Sequence, residues 1–495
     1  MNSERQATGR WAVALALAAL TALGFFLRLR GIGQSLLGDE LFSWYDVHDQ
    51  SYGQMLSRLS GGFEANPPLW FSLAWLSGKL GDSTNWIRLP SLIAGTALVP
   101  AVWLLADRVF NRYAAFTAAA LTATSAFAIF YSTEARAYSL LALLVCLAIV
   151  VLLAALADGR LRWWIAFAFI SAAAAYSHYT AIPVLLVAVI WVAITRRDLL
   201  VPLLCSCAAS ALMFVPWVPN VGNRSDSYLR FGFGPFSASA IKPEVLLKVL
   251  PGSPFLPLSI APGTIATFIF VGALVAASLF AMLRIAARDE PLRLAAAFRS
   301  PPALLILLAL TSPLAMIIFG ASRDLDLFSP RNLTASMPAA FVCIAALLVT
   351  GPRRWRWLLP AVAIAITTLA TIIAAEPRNE RPDARAIASQ INRSAKPADP
   401  VLWSDQADTI STRRLDIYLH PPRNPRILNS ANLERAFAGA ERSGSDVWIV
   451  IPDVPLAHLA AVPPLRFWQK YKLTSQSRYP GFDGGLELLK YERNG

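Results

Sequence analysis

The feature that most limits how this chain folds is a series of apolar runs of bilayer length. The stretches 138–157 and 262–283 hold no charged residue, and a helix needs roughly 20 apolar residues to cross a hydrocarbon core. Over the whole chain 56% of residues are hydrophobic and 15% are charged, where a soluble globular protein carries about 25% charged residues. The sequence therefore predicts a polytopic α-helical membrane protein. Its spans are expected at 11–27, 89–106, 114–131, 138–157, 163–178, 180–195, 199–217, 262–283, 302–320, 334–350 and 358–375, eleven in all. The run 163–195 is broken only by His178. As one helix it would be ~50 Å long against a ~30 Å core, so it is read as two short spans turning at "YSHYTAIP".

The charges set the orientation. The net charge is +13, and thirteen arginines fall in five alternate loops: Arg108 and Arg112; Arg160 and Arg162; Arg196 and Arg197; Arg284, Arg288, Arg293 and Arg299; Arg353, Arg354 and Arg356. All lie on the same side as Arg5 and Arg10. This is the positive-inside bias, which places that face and the N-terminus in the cytoplasm. A nucleic-acid partner is not expected, because clusters separated by apolar runs make no continuous basic face. The opposite, extracytoplasmic face carries 28–88, 218–261, 321–333 and the chain after 375. The N-terminal stretch also has the outline of a signal peptide. No small-residue cleavage site precedes Arg28, so an uncleaved first span is expected. Cys146, Cys205, Cys207 and Cys343 all lie in apolar runs and read as buried thiols.

Two further pieces stand out. "NPPLWFSLAWLSGKLG" is short, opens on Pro-Pro and holds Lys79; residues 67–80 are read as an amphipathic helix lying on the membrane surface within the first outer loop, 28–88. After 375 the chain turns polar and Pro-rich. "VLWS" and "DVWIVIP" then read as buried strands, and 383–394 and 432–440 as helices. The expected domains are a transmembrane one over 1–375 and a small extracytoplasmic α/β one over 376–495.

The chemistry-bearing residues cluster in the outer segments. Asp39 and Glu40 stand side by side in "SLLGDELFSW". Two adjacent carboxylates repel, which lifts one toward the range of a general base, and together they could also hold a divalent cation through oxygen ligands. A solvated loop is the plain alternative, since 28–88 holds six acids and five bases. "YSTEARAYSL" places Glu134, Arg136 and Tyr138 between two spans. An arginine fork suits a phosphate; a hydrophilic turn is the plainer reading. Arg88 opens a span, where it would either meet a phosphate or snorkel to the headgroups. His178 reads as a helix-turn cap or a substrate contact. Arg331, in "RDLDLFSPRNLTASMP", is a second candidate for a phosphate, with Asp324 and Asp326 nearby in sequence.

Taken in order, "LLGDELFSW", "NPPLWFSLAWLSGKLG", "NWIRLPSLIAG", "YSTEARAYSL", "SHYT" and "SPRNLTASMP" resemble membrane glycosyltransferases of the GT-C type. The nearest branch holds the protein O-mannosyltransferases, the aminoarabinose transferase of lipid A and the lipopolysaccharide-core transferases. The resemblance covers roughly residues 10–350. It implies a polyprenyl-phosphate sugar donor used on the extracytoplasmic face, with a protein, lipid or polysaccharide as acceptor. It implies Asp39 at the reacting centre with Glu40 beside it, and an acidic and basic pair at Glu134 and Arg136. It also implies an arginine at Arg88 and a surface helix lining the donor entrance. Relatives commonly carry Arg-Tyr where this chain has Arg331 and Asn332. Two other functions remain open on the sequence. One is a lipid or solute transporter without chemistry. The other is a glycan polymerase or ligase with a diphosphate-linked donor, whose large outer pocket the 218–261 segment would supply.

Overall fold

The structure is a computed structural model. It describes residues 2–494 except 63, 65, 222–233, 287–293, 352, 355, 405–414, 422–424, 454–460 and 483. Residues 222–233 of the 218–261 segment, the one offered for a large outer pocket, therefore lie outside the described residues.

A helix forms in every one of the apolar runs. In chain order the first are α1 (Asn2–Ile32), α2 (Asp39–Val47), α3 (Tyr52–Ser60) and α4 (Pro68–Ser77). Then come α5 (Ser83–Trp86), α6 (Leu89–Val109), α7 (Arg112–Thr124), α8 (Ala126–Ser132) and α9 (Tyr138–Asp158). The series continues with α10 (Leu161–Ser177), α11 (Ala181–Thr195), α12 (Leu200–Phe214), α13 (Pro243–Val249) and α14 (Thr264–Ala286). It closes with α15 (Leu294–Phe298), α16 (Pro301–Arg323), α17 (Met337–Leu348) and α18 (Leu358–Ala374). Among the described residues six helices are long and apolar enough to cross a membrane, or seven if the bent pair α7 and α8 is one span; α11, α17 and α18 are shorter apolar helices. Their outward positions are apolar too: Leu15, Phe26, Val201, Leu212, Ile265 and Phe268 are exposed. Helices apolar on the outside as well as the inside suit a lipid surround.

Three local differences from the sequence reading have physical causes. The 114–131 run is bent by 58° between α7 and α8. Ser125 breaks the helix by accepting the Ala128 amide on its hydroxyl, an N-cap that starts a new helix. The first helix passes Arg28 and runs to Ile32, because the Arg28 guanidinium is buried and bonded rather than left at a membrane edge. The helix expected at 67–80 is present as α4, but its exposed positions are Leu73 and Leu76. It is apolar around its circumference, and its buried face, with Trp70, Phe71 and Ala74, packs on α6 and α10. The expected turn at His178 does separate α10 from α11.

The chain divides into two compact units, Met1–Ile32 with Asp46–Ile373, and Gly33–Tyr45 with Ala374–Gly495. The short segment holding Asp39 and Glu40 thus joins the C-terminal unit, not the helical one. That second unit contains α19 (Ala384–Ser394), α20 (Ser430–Ser443) and five strands. The strands are β1 (Val401–Trp403), β2 (Arg426–Ile427), β3 (Val447–Pro452), β4 (Tyr471–Tyr479) and β5 (Leu486–Arg493). Their order is β2-β1-β3-β5-β4; β1 pairs in parallel with β2 and β3, and β5 runs antiparallel to β3 and β4. All six residues of β3 are buried. Val447, Ile449 and Ile451 pack with α20 residues such as Phe437, and Trp448 and Val450 with α19 residues such as Ile387. A strand covered on both faces reads as a continuous apolar run, which is why "VWIVIP" was legible.

Candidate active site

The turn between α8 and α9 carries Glu134 and Arg136, and it is held from several sides. The Arg136 amide donates to the Glu134 carbonyl at 2.8 Å. Trp70 on α4 donates through Nε1 to Ser91 Oγ at 2.9 Å, and Ser91 Oγ donates to the Arg136 carbonyl at 2.9 Å. This chain of bonds ties α4 and α6 to the turn. Glu134 and Arg136 are both buried.

A carboxylate that the sequence reading passed over answers the Arg136 charge. Glu64, just before α4, accepts both arms of the Arg136 fork, at 2.6 and 3.2 Å. Glu64 is fixed in turn by the Asn66 amide at 3.1 Å and the Asn66 side chain at 2.9 Å. A buried guanidinium needs a partner of this kind, and a bidentate carboxylate is the strongest neutral-pH choice. Asp46, near the end of α2, is also buried and accepts from Arg58 Nε at 3.0 Å. Burial, reinforced by the neighbouring Glu64 charge, raises the Asp46 carboxyl above its ordinary range, while Arg58 and Arg136 pull the other way.

His178 lies at the turn after α10, with its ring 5.6 Å from that of Tyr138, which stands 4.9 Å from Tyr131. The Thr180 amide reaches His178 Nδ1 at 3.2 Å. An amide only donates, so Nδ1 accepts and the neutral ring carries its proton on Nε2. Burial first, then the positive charges of Arg136 and Arg331, push the imidazole down to about 4, with Glu64 opposing. At neutral pH His178 is an uncharged donor. Its response to Arg331 also puts that residue in the same electrostatic neighbourhood. Arg331 sits on the turn Pro330–Leu333. Next to it, Asn332 closes its own loop by donating to the Leu327 carbonyl at 2.8 Å.

The structure thus gathers Arg136, Tyr138, His178 and Arg331 in the helical unit, with Glu134 on the same turn as Arg136. Arg88 is in that unit as well, wholly buried. Its Nη1 donates to the carbonyls of Ile32 at 2.8 Å and Gly31 at 3.5 Å, capping the C-terminal end of α1, where carbonyls lack helical partners. Asp39 and Glu40 belong to the other unit. Asp39 is half-buried at the first position of α2. Glu40 is fully buried; it accepts from the Leu37 amide at 3.2 Å and faces Arg381 Nε at 3.6 Å. Those contacts make Glu40 a fastener between the 33–45 segment and the C-terminal sheet domain. For the metal that the sequence left open, no group of three or more His, Cys, Asp or Glu side chains gathers among the described residues.

Residues 65–221 match the family model described as dolichyl-phosphate-mannose-protein mannosyltransferase. That stretch contains Arg88, Glu134, Arg136, Tyr138 and His178 and starts one residue past Glu64. Among solved structures, ArnT from Cupriavidus metallidurans bound to undecaprenyl phosphate superposes with a TM-score of 0.54 and 15% identity, over 96% of this chain and 97% of that one. The archaeal oligosaccharyltransferase AglB from Archaeoglobus fulgidus, in complex with an inhibitory peptide and a dolichol-phosphate, gives a TM-score of 0.54 and 13% identity, over 94% of this chain and 73% of that one. The chain has the GT-C fold. No curated protein sequence matches it. Within this GT-C frame, the sequence reading found the arginine of the second outer turn and missed its carboxylate. The available signal was the acid in Glu-Ala-Asn-Pro-Pro, two positions before the asparagine, where proline fixes the entry to a helix.

Proposed function

We propose that this chain is an integral membrane glycosyltransferase that moves a sugar from a polyprenyl-phosphate donor to an acceptor on the extracytoplasmic face. The observation that carries the reading is the buried Glu64–Arg136 pair, with neutral His178 and cationic Arg331 around it, in and beside the stretch matched by the mannosyltransferase family. Two relatives of the same fold have been solved with undecaprenyl phosphate and dolichol-phosphate, which supports a lipid phosphate as the group Arg136 receives here. The eleven-span topology with a cytoplasmic N-terminus belongs to the same proposal, as does an entrance for the lipid chain beside α4, whose outward residues are leucines.

In the proposed reaction the acceptor hydroxyl or amine attacks the anomeric carbon. The bond from that carbon to the phosphate oxygen breaks, and polyprenyl phosphate leaves with the bonding pair. Arg136 and Arg331 stabilise the charge that grows on the leaving oxygen, His178 offers its Nε2 proton as a hydrogen bond, and Glu64 holds the Arg136 fork in place. Asp39 takes the acceptor proton. Glu40, already bonded to Leu37 and Arg381, is given a structural part. General-base help is worth about 10²–10⁴ in rate.

The test is release of polyprenyl phosphate from lipid-linked sugars by the purified protein in proteoliposomes. Asp39→Asn is expected to lose at least about 10²-fold in rate with its melting temperature unchanged. Near wild-type turnover in that variant would remove Asp39 from the mechanism. A transporter would move donor and release no lipid phosphate from any candidate sugar.

A further inference from the structure

A second polar site lies in the helical unit and has no part in the reaction above. It is an open cavity of about 680 Å³ whose lining includes His48, Asp49, Trp75, Lys79, Asp82 and Ser83. Trp75 is anchored by donating from Nε1 to the Gln50 carbonyl at 2.8 Å. Lys79 places its ammonium 3.4 Å from the centre of the Trp75 ring, and among the described residues no carboxylate pairs with it. His48 bridges the site, with Nδ1 3.0 Å from Ser83 Oγ and Nε2 3.1 Å from the Asp49 carboxylate. The Asp49 side chain is 85% exposed. Adjacent in the chain to the lining residues Trp75, Lys79 and Ile87, Leu76, Leu80 and Trp86 are exposed at 61%, 63% and 39%.

The charge balance selects the ligand. The lining has one ammonium and two carboxylates. A purely anionic group would meet like charge from Asp49 and Asp82, and a purely cationic one would meet Lys79. A zwitterion satisfies both signs. A quaternary ammonium prefers an open aromatic face, but Lys79 covers Trp75 and Tyr52 lies edge-on to it at 5.2 Å. A primary ammonium instead donates hydrogen bonds to carboxylates. The exposed leucines and Trp86 offer an apolar surface where acyl chains would continue.

We propose that this cavity binds the phosphoethanolamine headgroup of a membrane phospholipid. Lys79 and Ser83 take the phosphate, Asp49 and Asp82 take the ammonium, and Leu76, Leu80 and Trp86 meet the chains. The experiment is native mass spectrometry of the full-length protein in detergent, loaded at matched concentrations with phosphatidylethanolamine, phosphatidylcholine or phosphatidylglycerol. The wild type is expected to retain phosphatidylethanolamine about tenfold better than either of the others, the factor one charge-assisted contact supplies. Lys79→Ala is expected to lose that retention. Asp49→Asn is expected to hold phosphatidylglycerol as well as phosphatidylethanolamine. Because Asp49 is so exposed, that variant carries the test if Lys79→Ala lowers the melting temperature. Equal retention of the three lipids by the wild type would overturn the proposal, and so would a phosphatidylethanolamine preference that survives in Asp49→Asn.

Discussion

Arg28 and Arg136 are both buried in the helical unit, and they differ in what answers their charge. Arg28 donates to backbone carbonyls, Gly24 at 2.7 Å, Thr122 at 3.1 Å and Ala123 at 3.3 Å, and to Ser132 Oγ at 3.0 Å. Thr122 and Ala123 lie at the C-terminal end of α7, where the bend toward α8 leaves carbonyls without helical partners and the helix dipole favours a cation. A Cβ at Gly24 would come within 3.1 Å of Arg28 Nη1, so the glycine leaves room for the guanidinium. Arg136 is answered by a carboxylate, with a second carboxyl and a neutral imidazole in range. Fixed dipoles hold a cation in one structural task. A carboxylate partner neutralises it in the resting protein and would compete with a phosphate for the same fork, which suits the substrate role proposed for Arg136.

Between the two arginines, the larger expected effect is at Arg136. Arg136→Ala is expected to lower sugar transfer by about 10²–10³, the loss typical of one transition-state donor. Arg136→Lys is not expected to rescue it, because an ammonium cannot reproduce the planar fork. Lipid-phosphate release in proteoliposomes reads both, and a fully active lysine variant would erase the distinction drawn between the two arginines. Next is Arg28→Met. It leaves the α7 carbonyls without donors at a cost of roughly 2–4 kcal/mol, read as a lower melting temperature, while turnover per folded molecule holds. A variant that melts normally but turns over slowly would move Arg28 into the site. A smaller change is expected from Glu64→Gln. It keeps the shape but removes the countercharge, so kcat should fall about tenfold without a rise in KM for the donor. A rise in KM with kcat intact would mean that Glu64 contacts the donor directly.

How much of this was readable beforehand follows from the range of the interactions. Apolar periodicity is local, so the runs that became α6, α9 and α16 were plain, as was the break at His178. The strand β3 was plain because both of its faces are buried. β4 was not: "YKLTSQSRY" is mostly exposed, and its polar alternation resembles a loop. Arg28, Asp46 and Glu64 were passed over because a single charge in a loop or at a helix end looks solvated until tertiary packing buries it. Arg28 meets Thr122 and Ser132 across about a hundred residues of chain, and Arg136 meets Glu64 across 72. Arg88 shows the converse. The resemblance implies a functional arginine there, and its bonds to the Ile32 and Gly31 carbonyls cap α1.

The last expected effect concerns the pH dependence of stability at His178 and separates the two arginines once more. Its folded pKa of about 4 lies below the ordinary 6.5, so between those values the unfolded chain binds the proton more readily. Stability is therefore full above about pH 6.5, declines as the pH falls toward 4, and levels off below; the total is at most roughly 3 kcal/mol. Asp46 works against this trend. Its raised carboxyl binds a proton more readily in the folded state, so its contribution grows as the pH falls through its pKa. The difference between wild type and His178→Gln isolates the histidine: the variant is expected to lose the decline between pH 6.5 and 4 in a melting series. Arg136→Ala should weaken the decline, because the Arg136 charge helps hold the imidazole neutral, whereas Arg28→Met should leave its slope alone. A slope that persists in His178→Gln would assign the titration elsewhere, and one that responds to Arg28 but not Arg136 would reverse the roles given to the two guanidinium groups.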